Sequence, residues 1–314
     1  MPSLLERRLQ DRFIQPPRYS REVPDSRIIC GDVLSVLAGL PDSQVFDAII
    51  ADPPYNIGKD FGAARDDMPL AEYVAWARQW VDMCLARLAE DGIMYIYGFP
   101  EVLAHVAVQY PLESQRWLVW HYTNKAVPSS RFWQRSHESI LCLWHPDGPR
   151  PALEIDQIRE PYTDTYLNNA AGKVRAATQS RFGGDRGRET VYTAHAGGAL
   201  PRDVLKVPAL AGGAGASERW FMCQDCGGEV FAPSDISAHR GHDILKHPTQ
   251  KPFALTQRLL RSRIGPRGGR VLVPFAGSGS ECIMAYKMGI GYLGIEIDPV
   301  WVDFARKWME KCTH

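Results

Sequence analysis

Val45-Phe46-Asp47-Ala48-Ile49-Ile50-Ala51-Asp52-Pro53-Pro54-Tyr55-Asn56 opens as a nearly continuous apolar run and stops at two prolines. A strand that is apolar on both sides suits a parallel sheet covered on both faces. Proline has no amide hydrogen to give a ladder, so the strand has to end at Asp52. Upstream, Ile28-Ile29-Cys30 reads as a short strand and Val33 to Leu40 as a helix closed by Pro41. Downstream, Tyr73, Ala77, Trp80, Cys84 and Leu88 recur at helical spacing, Asp91-Gly92 ends that helix, and Ile93 to Tyr97 reads as the next strand.

Two more strand-like runs follow, Trp117 to Tyr122 and Ser139 to Trp144. Residues 146–250 then turn rich in glycine and proline and lose all helical period. The cadence resumes with a helix at Pro252 to Ile264, a strand at Arg270 to Phe275, a helix at Ser280 to Met288, a strand at Tyr292 to Ile297 and a helix at Val300 to Lys311. The alternation predicts an α/β fold with a doubly wound, mostly parallel sheet and an inserted loop-rich region. The expected division is an N-terminal arm over 1–26, a first α/β half over 27–150, an insertion over 151–245 and a second α/β half over 246–314.

With 45% hydrophobic and 23% charged residues among 314, the chain has the composition of a globular protein rather than a disordered or fibrous one. Its apolar runs are far shorter than the roughly 20 residues a membrane helix needs, which together with the charged opening predicts a soluble, unsecreted protein. Lys plus Arg and Asp plus Glu are both 36, so a nucleic-acid partner has to be met by local patches and not by a global field. Seven cysteines, an odd number and five of them scattered, fit a reducing compartment.

Asp52 stands at a strand end, the edge of an open α/β sheet where ligands bind. A carboxylate there, beside a carbonyl stiffened by Pro53 and Pro54, suits the orientation of a weakly nucleophilic amine. Phe275-Ala276-Gly277-Ser278-Gly279-Ser280 follows a strand and opens a helix, and Gly277 and Gly279 let the backbone approach a ligand closely. Glu296 stands 17 positions beyond Gly279 at the next strand end, placed to accept ribose hydroxyls. A proline turn, a tight glycine turn and a solvated carboxylate would each be unremarkable alone. Their combination points to an adenosine-bearing cofactor.

Taken in order, these motifs resemble the amino-group DNA methyltransferases, in the permuted subgroup whose catalytic motif precedes its cofactor loop. Asp52-Pro53-Pro54-Tyr55 matches the catalytic motif and Phe275 to Ser280 the loop for the methionine side of the cofactor. Glu296 matches the ribose acid, and Gly31-Asp32 the element that meets the adenine. His247-Pro248-Thr249-Gln250-Lys251-Pro252 matches the segment leading into the cofactor's amino-acid end, which brings in Thr249 and Lys251. Ser136-His137-Glu138-Ser139 matches the late motif of the first half. The resemblance covers roughly Ile28–Pro146 and His247–Lys311. It implies a Rossmann-like fold, S-adenosylmethionine as cofactor, with Asp52 close to it, and a base flipped out of duplex DNA against Tyr55. Two departures stand out: the family usually has aspartate where this chain has Val273, and threonine where it has Ser280.

Between 173 and 206, Lys173, Arg175, Arg181, Arg186, Arg188, Arg202 and Lys206 face only Asp185, Glu189 and Asp203. So basic and glycine-rich a stretch suits phosphate contacts and guanine readout, and it is the expected target-recognition segment. Cys223, Cys226, His239 and His242 form a Cys-x2-Cys-x12-His-x2-His pattern that suits a structural zinc, with His247 as a substitute ligand. The insertion carries too little apolar sequence to order itself, so its stability is expected to depend on that metal, while the α/β core draws on residues outside it.

The expected activity is site-specific methyl transfer from S-adenosylmethionine to an exocyclic amine of a flipped base, with adenine N6 ahead of cytosine N4 because the motif begins with aspartate. A rival of another class is a non-catalytic, zinc-dependent DNA-binding module with a relic methyltransferase domain. A second rival, a methyltransferase of RNA or of a protein amide, expects an Asn-Pro-Pro-Tyr motif after the cofactor loop in its protein-directed form, and this chain has neither. The expected setting is a bacterial or archaeal cytoplasm, as monomer or homodimer, on double-stranded DNA, with a restriction endonuclease as a possible partner.

Overall fold

In a computed structural model, residues 26–59, 66–124, 130–175, 189–191, 193–211, 218–266 and 268–313 are described. The elements run β1 (Arg27–Cys30), α1 (Val33–Gly39), β2 (Phe46–Ala51), α2 (Leu70–Leu85), β3 (Leu88–Gly98), α3 (Pro100–Ala107), β4 (Gln115–His121) and β5 (His137–Leu143). They continue through α4 (Asp164–Asn169), β6 (Val174–Arg175), β7 (Thr190–Val191), β8 (Val204–Lys206), β9 (Phe221–Cys223), β10 (Glu229–Phe231) and β11 (Ile244–Leu245). The last are α5 (Phe253–Arg263), β12 (Arg270–Val273), α6 (Ser280–Lys287), β13 (Gly291–Glu296) and α7 (Pro299–Thr313).

The chain falls into two compact units, one of residues 154–202 and one of the rest. In the larger, eight strands form one sheet in the order β1-β13-β12-β2-β3-β5-β4-β8. From β1 to β3 all neighbours are parallel, β5 runs antiparallel between β3 and β4, and β8 adds a parallel edge. This is the doubly wound, mostly parallel α/β sheet that the alternation of strands and helices predicts.

Side chains alternate across a strand, so successive residues of β2, β3 and β12 go to opposite faces. Ile49, Ala51, Met94, Ile96 and Leu272 pack with Val33, Trp80 and Leu103 of the first-half helices. Ala48, Ile50, Tyr95, Tyr97, Val271 and Val273 pack with Leu255, Leu259 and Ala285 of the second-half helices. Each half of the chain therefore covers one face of a sheet to which both contribute. One boundary differs from expectation: β3 begins at Leu88, and Asp91-Gly92 lies inside it. Pairing jumps from Phe46–Leu88 to Ala48–Ile93, a bulge that keeps Leu88 buried at the strand's start.

The smaller unit holds α4 and the β6–β7 pair, with Val174 opposite Val191. Tyr162 and Tyr166 stack at 4.7 Å, and Arg202 pairs with Glu160 at 2.8 Å. Of the 151–245 stretch, only 154–202 form this unit. The remainder belongs with the α/β unit, where β8 joins the large sheet and β9–β11 form a three-stranded sheet of their own. Met222 and Val230 of that small sheet pack with Ile283, Trp301, Phe304 and Trp308. The expectation that the α/β core draws only on residues outside the insertion is thereby corrected: the Cys/His stretch shares a core with α6 and α7. Residues 1–25 of the N-terminal arm and Arg181, Arg186 and Arg188 lie outside the described residues. Among the described residues no helix is long and apolar enough to cross a membrane.

Candidate active site

Four adjacent parallel strands, β1, β13, β12 and β2, end at one edge. From β12 the chain winds toward β13 and from β2 toward β3, so the edge between them is a topological switch point, where open α/β sheets form a crevice. The loops leaving these strands line one pocket, which includes Asp32, Asp52, Thr249, Phe275, Gly277, Ser278, Ser280 and Glu296.

The glycine loop is fixed from three sides. Gly277 has φ +49°, and a Cβ there would sit 2.6 Å from His247 Nε2. Gly279 has φ +81°, and its Cβ would sit 2.7 Å from Ala305 Cβ. The third fixing comes from Glu296, whose Oε2 accepts the Gly277 N–H at 2.7 Å and whose Oε1 accepts the Asp298 N–H at 2.9 Å. Burial raises the Glu296 pKa, and the two backbone donors pull the other way. The residue expected to meet the ribose thus also staples the loop on the opposite wall. Phe275 is wedged edge-on against Trp80 at 5.0 Å and Trp76 at 5.8 Å. The Ser278 Oγ is buried with no partner among the described residues. Asp32 caps α1 by accepting the Ser35 N–H at 3.0 Å.

Asp52 is held by both of its oxygens. Oδ1 accepts the Tyr55 hydroxyl at 2.8 Å, and Oδ2 accepts Lys251 Nζ at 2.5 Å. The Tyr55 hydroxyl also lies 2.9 Å from Glu138 Oε2, so its single proton is shared between two carboxylates. Tyr122 donates to Glu138 from the far side at 3.3 Å. Burial pushes the Asp52 carboxyl above its ordinary range, and Lys251 pulls it back. Burial alone would depress Lys251, but Asp52 and Glu138 outweigh it and keep the ammonium charged. Lys251 Nζ also sits 5.0 Å from the Tyr97 ring centroid and 5.5 Å from that of Tyr55. The Pro54 carbonyl accepts the Tyr73 hydroxyl at 2.8 Å. The Tyr55 ring is only 8% exposed and meets Phe99 edge-on.

Asn56 explains why the motif closes as it does. Its φ of +58° is the left-handed region that asparagine tolerates, and it is the one such non-glycine residue described. Its side chain exchanges two hydrogen bonds with the Met68 backbone, while Asp66 accepts the Asn56, Ile57 and Lys59 amides. The turn that presents Asp52 is thereby fixed to the segment entering α2.

Cys223, Cys226, His239 and His242 converge, with all four ligand atoms within 4.8 Å of one another. Sγ to Nδ1 separations are 3.3 Å for Cys223–His242, 3.3 Å for Cys226–His242 and 3.6 Å for Cys226–His239. A tetrahedral ion with Zn–S near ~2.3 Å and Zn–N near ~2.1 Å needs edges of about 3.5 Å. Gly227 and Gly228, at φ +67° and +76°, make the turn after Cys226. His247 is not part of this cluster. Its ring lies 4.6 Å from Trp301 at the pocket wall, and burial, with Lys251 and Arg219 beyond, lowers its pKa to about 3.

Of the expected basic residues, Lys173 and Arg202 are exposed in the smaller unit, and Arg175 is the second residue of β6 there. Four features escaped the sequence reading. They are the Lys251–Asp52 pair, the Glu138–Tyr55 contact, the buried Glu281 in the pocket, and the highly exposed Phe132 and Trp133 just ahead of β5. The first two join residues far apart in the chain. For Phe132 and Trp133, the arginines at 131 and 135 were the available cue.

A family model described as DNA methylase matches residues 46–307. The type II methyltransferase M.HpaI of Haemophilus parainfluenzae is 24% identical over 294 residues, covering 91% of this chain and 74% of that protein. The DNA adenine methyltransferase YhdJ of Escherichia coli (strain K12) is 26% identical over 304 residues, covering 96% of this chain and 87% of its own length. Among solved structures, PvuII DNA methyltransferase (cytosine-N4-specific) aligns with a TM-score of 0.57 at 14% identity, covering 96% of this chain and 94% of that one, a likeness of fold.

The ion pair makes a direct prediction. Removing a cation beside a buried carboxylate favours the neutral acid, so Lys251→Met raises the pKa of Asp52 by about one to three units. Carbon-detected NMR of the carboxyl during a pH titration reads the shift, and an unchanged titration contradicts the coupling.

Proposed function

The chain belongs to the DNA methylase family of amino-group methyltransferases, and from that premise we propose that the base it modifies is adenine, at N6. The observation that carries this reading is the carboxylate of Asp52, fixed by Tyr55 and Lys251 at the rim of the pocket. An adenine amino group donates its two hydrogens to Asp52 and to the Pro53 carbonyl, since the Pro54 carbonyl is already engaged by Tyr73. Those two acceptors return lone-pair density to the nitrogen and aim it. Asp52 is also placed to hold the proton that the nitrogen sheds. S-adenosylmethionine supplies an electrophilic methyl group on sulfur. Glu296 binds its ribose and the Gly277 loop its methionine side, with Asp32 beside the adenine. No cysteine nucleophile is required. Aspartate at the head of the motif supports adenine over cytosine, as does the 26% identity to a protein named as an adenine methyltransferase.

The DNA face in this reading uses the basic segment, with Lys173 and Arg175 on phosphates. Arg202 is tied to Glu160 and must release it to take part. Zinc is the proposed occupant of Cys223, Cys226, His239 and His242, where two thiolates and two imidazoles at tetrahedral spacing suit it. Because that element packs on α7, whose Trp301 also lines the pocket, the metal braces the cofactor site.

Asp52→Asn is expected to lower methyl transfer by about a thousandfold in protein that remains folded by circular dichroism. Turnover near the wild-type rate removes Asp52 from its role. Digested product DNA is expected to contain N6-methyladenine, and N4-methylcytosine assigns the enzyme to the other base. The native protein is expected to carry about one zinc, which Cys226→Ser removes with a weakening of S-adenosylmethionine binding. Native protein purified without chelators that holds no zinc rejects the metal assignment.

A further inference from the structure

Glu281 is the second residue of α6 and is only 3% exposed, yet it lines the same pocket as Asp52 and Glu296. Its Oε2 accepts the Ser280 hydroxyl at 2.8 Å, while its Oε1 is buried with no partner among the described residues. A buried carboxylate oxygen without a donor is costly, and it persists where a ligand supplies the donor. The other pocket carboxylates already hold donors. Glu296 takes two backbone amides, Asp52 takes Tyr55 and Lys251, and Asp32 takes Ser35. At 273, where the resemblance expects an aspartate, the valine side chain is buried in the core between sheet and helices.

Charge points the same way. Glu138 and Glu281 are buried and Asp52 nearly so, and among the described residues Lys251 brings the one buried ammonium to them. The cluster is short of positive charge, and a cationic ligand group corrects the deficit.

We infer that Glu281 is the acceptor for the α-ammonium of S-adenosylmethionine and stands in for the carboxylate missing at 273. The inference rests on the assignment of that cofactor to this pocket. Burial, and then the charge of Asp52, raise the Glu281 pKa to about 7, with Lys251 and the Ser280 hydroxyl opposing. The groups facing it are Ser280 and Cys282 on α6, Asp52 after β2, Lys251 ahead of α5 and Tyr97 on β3. His247 shares the pocket but stays neutral near pH 7. Below its pKa Glu281 is a neutral acid. A bound ammonium favours the carboxylate, so binding expels a proton, and affinity rises as pH rises toward 7.

Calorimetry of the full chain with S-adenosylmethionine and with 5′-methylthioadenosine, which lacks the amino-acid end, tests this in two buffers of different ionisation heat. Wild-type affinity for S-adenosylmethionine should rise about tenfold from about pH 5.5 to about pH 7 with proton release, while methylthioadenosine binding stays flat. Glu281→Gln should lose about tenfold in S-adenosylmethionine affinity near pH 7, release no proton and bind methylthioadenosine as before. An equal loss on both ligands, unchanged S-adenosylmethionine affinity in the variant, or a flat wild-type pH profile overturns the role of Glu281. Wild-type protein that binds neither ligand overturns the cofactor assignment itself.

Discussion

The ion pair between Lys251 and Asp52 is the interaction on which the site depends. It joins residues 199 positions apart, one at the end of a first-half strand and one just ahead of a second-half helix. Both side chains are almost wholly removed from water, at 3% and 12% exposure. Such charges are tolerated only when paired and further hydrogen-bonded, and both conditions hold here through Tyr55 and the Thr249 carbonyl. The result is a carboxylate whose position is set before any ligand arrives. Preorganisation of that kind is how an acceptor contributes to catalysis without rearranging at the moment of reaction.

The sheet makes this placement possible. Because β12 and β2 are neighbours drawn from opposite halves of the chain, the glycine loop and the Asp-Pro-Pro turn emerge side by side. Glu296 fixes the loop by its amides, and the Asn56–Met68 and Asp66 bonds fix the turn. The Cys/His element is tied to the same apparatus from behind. Its small sheet buries Met222 and Val230 on α7, and Trp301 of that helix reaches both that core and the pocket. The Cys/His cluster, α7 and the pocket wall therefore share one core.

Much of this was legible in the residues, for identifiable reasons. The apolar run before Asp52, the two glycines after β12 and the acid at the end of β13 are local patterns whose positions follow from strand ends, and the α/β sheet follows from their alternation. The pattern of Cys223, Cys226, His239 and His242 was legible from spacing alone, and the fold brings their side-chain ligand atoms within 4.8 Å of one another. Other parts depended on tertiary contact. Lys251 read only as part of a segment leading to the cofactor's amino-acid end, because nothing in sequence tells that its ammonium reaches Asp52. Glu281 read as one more helix residue after Ser280, because its burial is set by the packing of α6 against the sheet. The bulge that carries β3 through Asp91-Gly92 depends on Leu88 finding a place in the core, which a local turn signal does not register.

The most direct measurement on the central claim is a double-mutant cycle of stability with Asp52→Asn, Lys251→Met and the pair combined, followed by urea unfolding. Either single change strands a buried charge and is expected to cost about 3–5 kcal/mol. If the two groups act as one unit, the double variant recovers most of that loss and the cycle is strongly non-additive. Effects that add within about 0.5 kcal/mol would show that the two charges do not support each other, and would contradict the account.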